Sequence, residues 1–112
     1  MEGRSLKSLL NELESQYGLF QYARIDTHYP LNKRAKLMRY AQNNPPKYLL
    51  GSPIDKIQTF DGVKYSARNG CWLMLRGSGT EPVLRIYAEA PTRVGVEKLL
   101  RQGQSIADRI RK

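Results

Sequence analysis

Cysteine is nearly absent from this chain of 112 residues: Cys71 stands alone, inside the apolar run 71–75. One thiol permits neither an internal disulfide nor a thiolate metal cluster, and a single cysteine among apolar neighbours reads as buried and inert. Histidine is as scarce. His28, beside Tyr29 and Pro30, has only Asp26 near it in sequence, which fits a strand-end or surface role better than catalysis. No run of roughly 18 apolar residues occurs, which excludes a transmembrane helix, and the first ten residues lack the apolar stretch of a secretory signal. The expectation is a cytoplasmic chain with no membrane partner. Acidic residues are few: 10 Asp and Glu against 19 Lys and Arg leave a formal charge of +9. That excess favours anionic partners, whether nucleic acid, acidic membrane or phosphorylated small molecules, without choosing among them. No internal repeat, low-complexity segment or run of five like charges is present, and the basic clusters at 32–36 and 109–112 read mostly as solvated helix faces.

What is there is ordinary globular composition, 40% hydrophobic and 26% charged, of a length that suits one domain. Leu6, Leu9, Leu10, Leu13 and Tyr17 recur at helical spacing and Gly18 follows, predicting a helix over 5–17. Residues 20–30 alternate in an aromatic and β-branched setting and close at Pro30, a strand. Leu31, Ala35, Leu37, Met38 and Ala41 predict a second helix over 31–43, ended by Asn43, Asn44, Pro45 and Pro46. A loop is expected over 43–53. Short strands then follow: 54–60, 63–67, 71–76 and 83–90, with Asp61-Gly62 spaced as a two-residue hairpin loop and Asn69-Gly70 as a second hairpin signal. After Pro91, Thr92 is a candidate N-cap for a last helix with Val96, Leu99, Leu100, Gly103, Ile106, Ala107 and Ile110 on its apolar stripe. Gly103 on that stripe costs about 1 kcal/mol against Ala, for which close approach to a sheet is the expected reason. The order helix, strand, helix, four strands, helix is α+β, with Leu84, Ile86 and Ala88 buried under two helices and Arg85, Tyr87 and Glu89 on a polar face.

Residues 76–85, RGSGTEPVLR, carry the chemistry. If strands 71–76 and 83–90 pair around a symmetric loop, Arg76 and Arg85 stand opposite each other at its mouth, where like charges are destabilising. An anion between the two guanidiniums relieves that conflict through paired charge-assisted hydrogen bonds. Gly77 and Gly79 let backbone N–H groups turn inward as a nest, and the Ser78 and Thr80 hydroxyls add donors. Glu81 could hold one arginine in its fork orientation, and Pro82 would stiffen the exit. A polar hairpin with two solvent-facing arginines is the plainer alternative on spacing alone.

Residues 61–90 resemble the C-terminal domain of the α-D-phosphohexomutases, the phosphoglucomutase and phosphomannomutase superfamily; the likeness is specific at 76–85 and looser over 20–111. It implies a TATA-binding-protein-like β-α-β4-α fold, an antiparallel sheet with helices on one face, here with an added N-terminal helix. Residues 1–18 would then be helix and linker from a preceding domain, and 19–112 the phosphate-binding domain. The resemblance implies that Arg76, Ser78, Gly79 and Thr80 bind phosphate with Arg85 joining them, and that Gly77, Glu81 and Pro82 shape the loop. The family often has proline where Gly77 stands, a departure that predicts a more mobile loop here.

The same resemblance implies a parent enzyme that moves a phosphoryl group between the 1 and 6 positions of a hexose, using Mg²⁺ and a hexose 1,6-bisphosphate. Its transfer serine, its D-G-D-x-D-R metal loop and its G-E-x-S-G-H sugar loop are not in these residues. Asp61-Gly62 has no second acidic residue within metal-ligand spacing. The chain is thus expected to hold no catalytic and no metal-binding residue, to bind no cofactor alone, and to have as partners a hexose phosphate and the other domains of its parent. The rival expectation is a basic nucleic-acid-binding domain, with Phe20, Tyr22, Tyr65, Trp72 and Tyr87 available for stacking. A purely structural role is a third.

Overall fold

Strict alternation of side-chain type along 83–90 calls for a strand with one face buried. The computed structural model, which describes residues 20–111, forms that strand. It is β6 (Val83–Ala90), with Leu84, Ile86, Ala88 and Ala90 buried and Arg85, Tyr87 and Glu89 on the other face. The elements before it are β1 (Gln21–His28), α1 (Leu31–Asn43), β2 (Tyr48–Leu49), β3 (Ser52–Gln58), β4 (Val63–Ala67) and β5 (Trp72–Gly77), and α2 (Arg93–Arg111) follows. The strands make one antiparallel sheet in the order β1-β6-β5-β4-β3-β2. The chain crosses from one sheet edge to the other through α1, then returns strand by strand until β6 lies against β1.

Both helices cover the same face, α2 on β6, β1 and β5, and α1 on β4 and against α2. Between them and the sheet lie Leu37, Tyr65, Leu73, Leu75, Leu84, Ile86 and Leu99, all fully buried. Each such aliphatic side chain contributes about 1.5–3 kcal/mol by leaving water. Gly103 brings α2 close: a Cβ there would stand 2.7 Å from Ile86 Cγ2 and 3.2 Å from Leu73 Cδ1. Thr92 caps α2, its Oγ1 accepting the Gly95 N–H at 3.0 Å. Two buried tyrosines tie sheet and helices together, Tyr29 Oη donating to the Ala107 carbonyl at 2.8 Å and Tyr65 Oη to the Ala41 carbonyl at 2.5 Å. Burial pushes the Tyr65 phenol up to about 12. Cys71 is buried as its apolar surroundings suggest, and burial raises its thiol.

The α+β architecture, with an antiparallel sheet and helices on one face, is the fold the sequence leads one to expect. Two connections differ. The expected loop over 43–53 contains β2 and the start of β3, joined by the two-residue turn Leu50 (φ 52) and Gly51 (φ 80). A non-glycine residue in the left-handed region is no recognisable turn signal, and a two-residue strand has no period to read. The Asp61-Gly62 turn is wider than the expected two-residue loop, since β3 ends at Gln58 and β4 begins at Val63. Asp61 (φ 62) and Gly62 (φ 148) carry the positive φ angles, and a Cβ on Gly62 would fall 2.7 Å from the Leu75 carbonyl oxygen. The helix expected over 5–17, and with it the division at residue 18, lies outside the described residues.

Candidate anion-binding site

Register places the two arginines directly opposite each other. Arg76 pairs with Arg85 across β5 and β6, and Gly77 with Leu84 is the last pair before the connecting loop. Asp26 of β1 faces Arg85 from the other side. The repulsion is met by outlying carboxylates: Asp61 Oδ2 lies 3.2 Å from Arg76 Nη2, and Asp26 Oδ1 lies 3.9 Å from Arg85 Nε and 3.2 Å from Arg24 Nε. These groups are all partly exposed, and such ion pairs contribute about 0–1 kcal/mol each. A phosphate making several charge-assisted hydrogen bonds has more to offer each guanidinium than its present carboxylate.

The loop between the arginines is built around Ser78, whose side chain is buried. Its Oγ accepts the Thr80 N–H at 3.3 Å and the Glu81 N–H at 3.2 Å, which leaves its own O–H free to donate. The Ser78 N–H is spent on the Val83 carbonyl, and the Val83 N–H on the Glu81 carbonyl. Gly79 carries the loop N–H with no partner among the described residues. Of the several free loop amides expected from the sequence, one is left without a partner among the described residues, because the serine hydroxyl has taken up two and the Val83 carbonyl a third. Glu81 acts on the loop through its backbone; the carboxylates found on the arginines are those of Asp61 and Asp26. The Pro82 carbonyl accepts the Tyr29 N–H at 2.8 Å, anchoring the loop exit to the β1–α1 junction.

A cavity of about 500 Å³ opens at the loop mouth. It brings together Arg76, Gly77, Ser78, Gly79 and Arg85, all singled out in the sequence, and adds Arg34, Met38, Asp61 and Gly62. Thr80, Glu81 and Pro82 are not in its lining. Arg34 is the residue sequence reading passed over. It sits in the first turn of α1, within a basic cluster that looks like a solvated helix face, and its Nη1 donates to the Ser78 carbonyl. Gly77 lies within β5, beneath the Arg34 side chain, so its lack of a Cβ has a packing reason. Among the described residues no three His, Cys, Asp or Glu side chains come together to hold a metal ion. Among the same residues no helix is long and apolar enough to cross a membrane.

A guanidinium pair, a hydroxyl and a loop amide with no partner among the described residues surround one cavity, which makes it a candidate for an anion. The profile of the phosphoglucomutase/phosphomannomutase C-terminal domain matches residues 32–102. This chain belongs to that family. Similar proteins include a phosphopentomutase of Thermococcus kodakarensis, 30% identical over 101 residues, covering 90% of this chain and 22% of that protein. A probable phosphoglucosamine mutase of Methanocella arvoryzae is 36% identical over 107 residues, with 89% and 24% covered. A probable phosphomannomutase of Haemophilus influenzae is 31% identical over 97 residues, with 80% and 20% covered. The chain thus spans about a fifth to a quarter of the length of these relatives. The mutase-domain match runs from α1 into α2 and so includes Arg34, Asp61 and the whole arginine hairpin, while Asp26 of β1 lies before it.

Proposed function

We propose that this chain is the phosphate-gripping domain of a phosphosugar mutase, holding the phosphate that is not being transferred while a parent enzyme interconverts hexose 1-phosphate and 6-phosphate. The observation that carries this reading is the facing pair Arg76 and Arg85 at the mouth of a cavity that also receives Ser78 and Gly79. Forked guanidiniums read a phosphate dianion and not a sugar, which suits a reaction whose intermediate must present either of its two phosphates to the same grip. The relatives' names differ in the sugar, pentose, glucosamine or mannose, and share the phosphate. The transfer serine, the metal and the sugar contacts would be supplied by the other domains of the parent chain. Alone, this chain should transfer no phosphoryl group, as an assay on glucose 1-phosphate would check.

The test is a ¹⁵N NMR titration of the chain with inorganic phosphate, glucose 1-phosphate and mannose 1-phosphate. Hydrogen bonds to charged groups at about 1.5–3 kcal/mol each, less ordering costs, predict millimolar binding near roughly −4 kcal/mol. Shifts should cluster at Ser78 and Gly79, be similar for all three ligands and vanish in Arg76→Ala. Shifts that appear elsewhere, or survive that substitution, would remove the reading.

The nucleic-acid reading has one observation in its favour: Tyr22, Trp72 and Tyr87 share the open face of the sheet. Trp72 is already engaged, however, its Nε1 donating to Glu89 Oε1 at 2.5 Å, with Lys64 Nζ 4.5 Å from its ring centre and Tyr22 tilted against it at 6.1 Å. A steep salt dependence of oligonucleotide binding would support it.

A further inference from the structure

We propose that Arg34 is a positioning residue of this anion site, acting on the Gly79 amide, and that Gly77 is the residue that lets it do so. The proposal rests on the phosphate reading above. Arg34 reaches from the first turn of α1 to donate from Nη1 to the Ser78 carbonyl, the loop being held at its other end by Tyr29 on Pro82. The peptide unit is planar and trans, so fixing the direction of the Ser78 carbonyl also fixes that of the Gly79 N–H. A Cβ built on Gly79 would meet no atom within 4 Å beyond its chain neighbours, so packing does not hold that residue. The orientation of the one loop amide without a partner among the described residues therefore depends in part on the arginine grip. Arg34 also lines the same cavity as Arg76 and Arg85, adding a third guanidinium to the field a phosphate would meet.

Gly77 completes the device. A Cβ at residue 77 would stand 2.7 Å from Arg34 Cγ and closer still to Cδ, and the three nearest atoms all belong to that flexible side chain. Gly77→Ala should thus displace Arg34 without moving strand or helix, so Arg34 and Gly77 form one unit although they lie on different elements.

The experiment is a phosphate titration of the full 112-residue chain by ¹⁵N NMR in wild type, Arg34→Ala, Arg34→Lys, Gly77→Ala and the Arg34→Ala/Gly77→Ala double variant, with Arg76→Ala as reference. Arg34→Ala and Gly77→Ala should each weaken phosphate binding about five- to tenfold, the scale of one charge-assisted contact. Both should shift the Gly79 amide resonance before any phosphate is added, with an unchanged melting temperature. The double variant should match either single one within about twofold, since coupled residues do not add. Arg34→Lys should recover part of the affinity. Affinities that stay near wild type in Arg34→Ala and Gly77→Ala while Arg76→Ala abolishes binding would overturn this proposal and leave the phosphate reading standing, as would additive losses in the double variant. A wild-type chain that binds no phosphate would end both.

Discussion

The ladder between β5 and β6 has two ends that share a face of the sheet and differ in how far they are satisfied. At one end Trp72 pairs with Glu89, the indole N–H donates to that carboxylate, and Lys64 and Tyr22 occupy the ring's surroundings. At the other, Arg76 pairs with Arg85, and among the described residues the charges are met by exposed carboxylates from neighbouring loop and strand. Cross-strand pairs of complementary chemistry stabilise a sheet and like charges weaken it. The ladder thus completes its own pairing at the tryptophan end and leaves it incomplete at the arginine end. The candidate site lies at the end of the ladder whose own pairing is like-charged.

Several substitutions separate the two ends, and the most disruptive removes the support common to both. Gly103→Leu forces atoms into Ile86 and Leu73 beneath the middle of the ladder and should destabilise the fold by about 3 kcal/mol. Urea unfolding followed by Trp72 fluorescence and by the Gly79 resonance should then shift together. Trp72→Ala dismantles only the satisfied end: calorimetry should register a loss of about 2 kcal/mol for this half-buried aromatic, with phosphate affinity unaltered. Arg76→Ala is the converse. Titration should find phosphate binding weakened by at least about tenfold, roughly 1.4 kcal/mol, while the melting temperature holds or rises as the like-charge pair is relieved. The smallest effect belongs to Asp61→Asn, because Asn tolerates the same left-handed backbone and only the competing charge is lost. Phosphate should bind about twofold more tightly, as fits the roughly 0.5 kcal/mol of an exposed ion pair; weaker binding would mean that Asp61 holds Arg76 in place instead of competing for it.

Much of this architecture was legible because its signals are local. Helix α1 occupies 31–43 as its periodicity and its flanking prolines require, Thr92 caps α2, and the alternation of β6 names its own buried face. The Arg76–Arg85 pairing was legible for the same reason, since a hairpin joins residues that are near in sequence. The misses lie where signals were weak or indirect. β2 is two residues long, and its turn places a leucine in a conformation that usually announces itself with glycine or asparagine. The amides of the expected nest were taken up by a serine side chain two and three residues away, a competition that residue types alone do not decide.

Sequence alone determined the two-layer fold, the facing arginines and the excess of positive charge, because hydrophobic period, turn chemistry and charge act over a few residues at a time. Only the tertiary structure decided which groups surround those arginines. Arg34 and Asp61 come from α1 and the β3–β4 loop and line one cavity because α1 packs under the sheet, while Asp26 of β1 reaches Arg85 through the pairing of β1 with β6. Gly77 shows the limit most plainly: its reason for lacking a side chain is an arginine on another element, and no spacing along the chain records that contact.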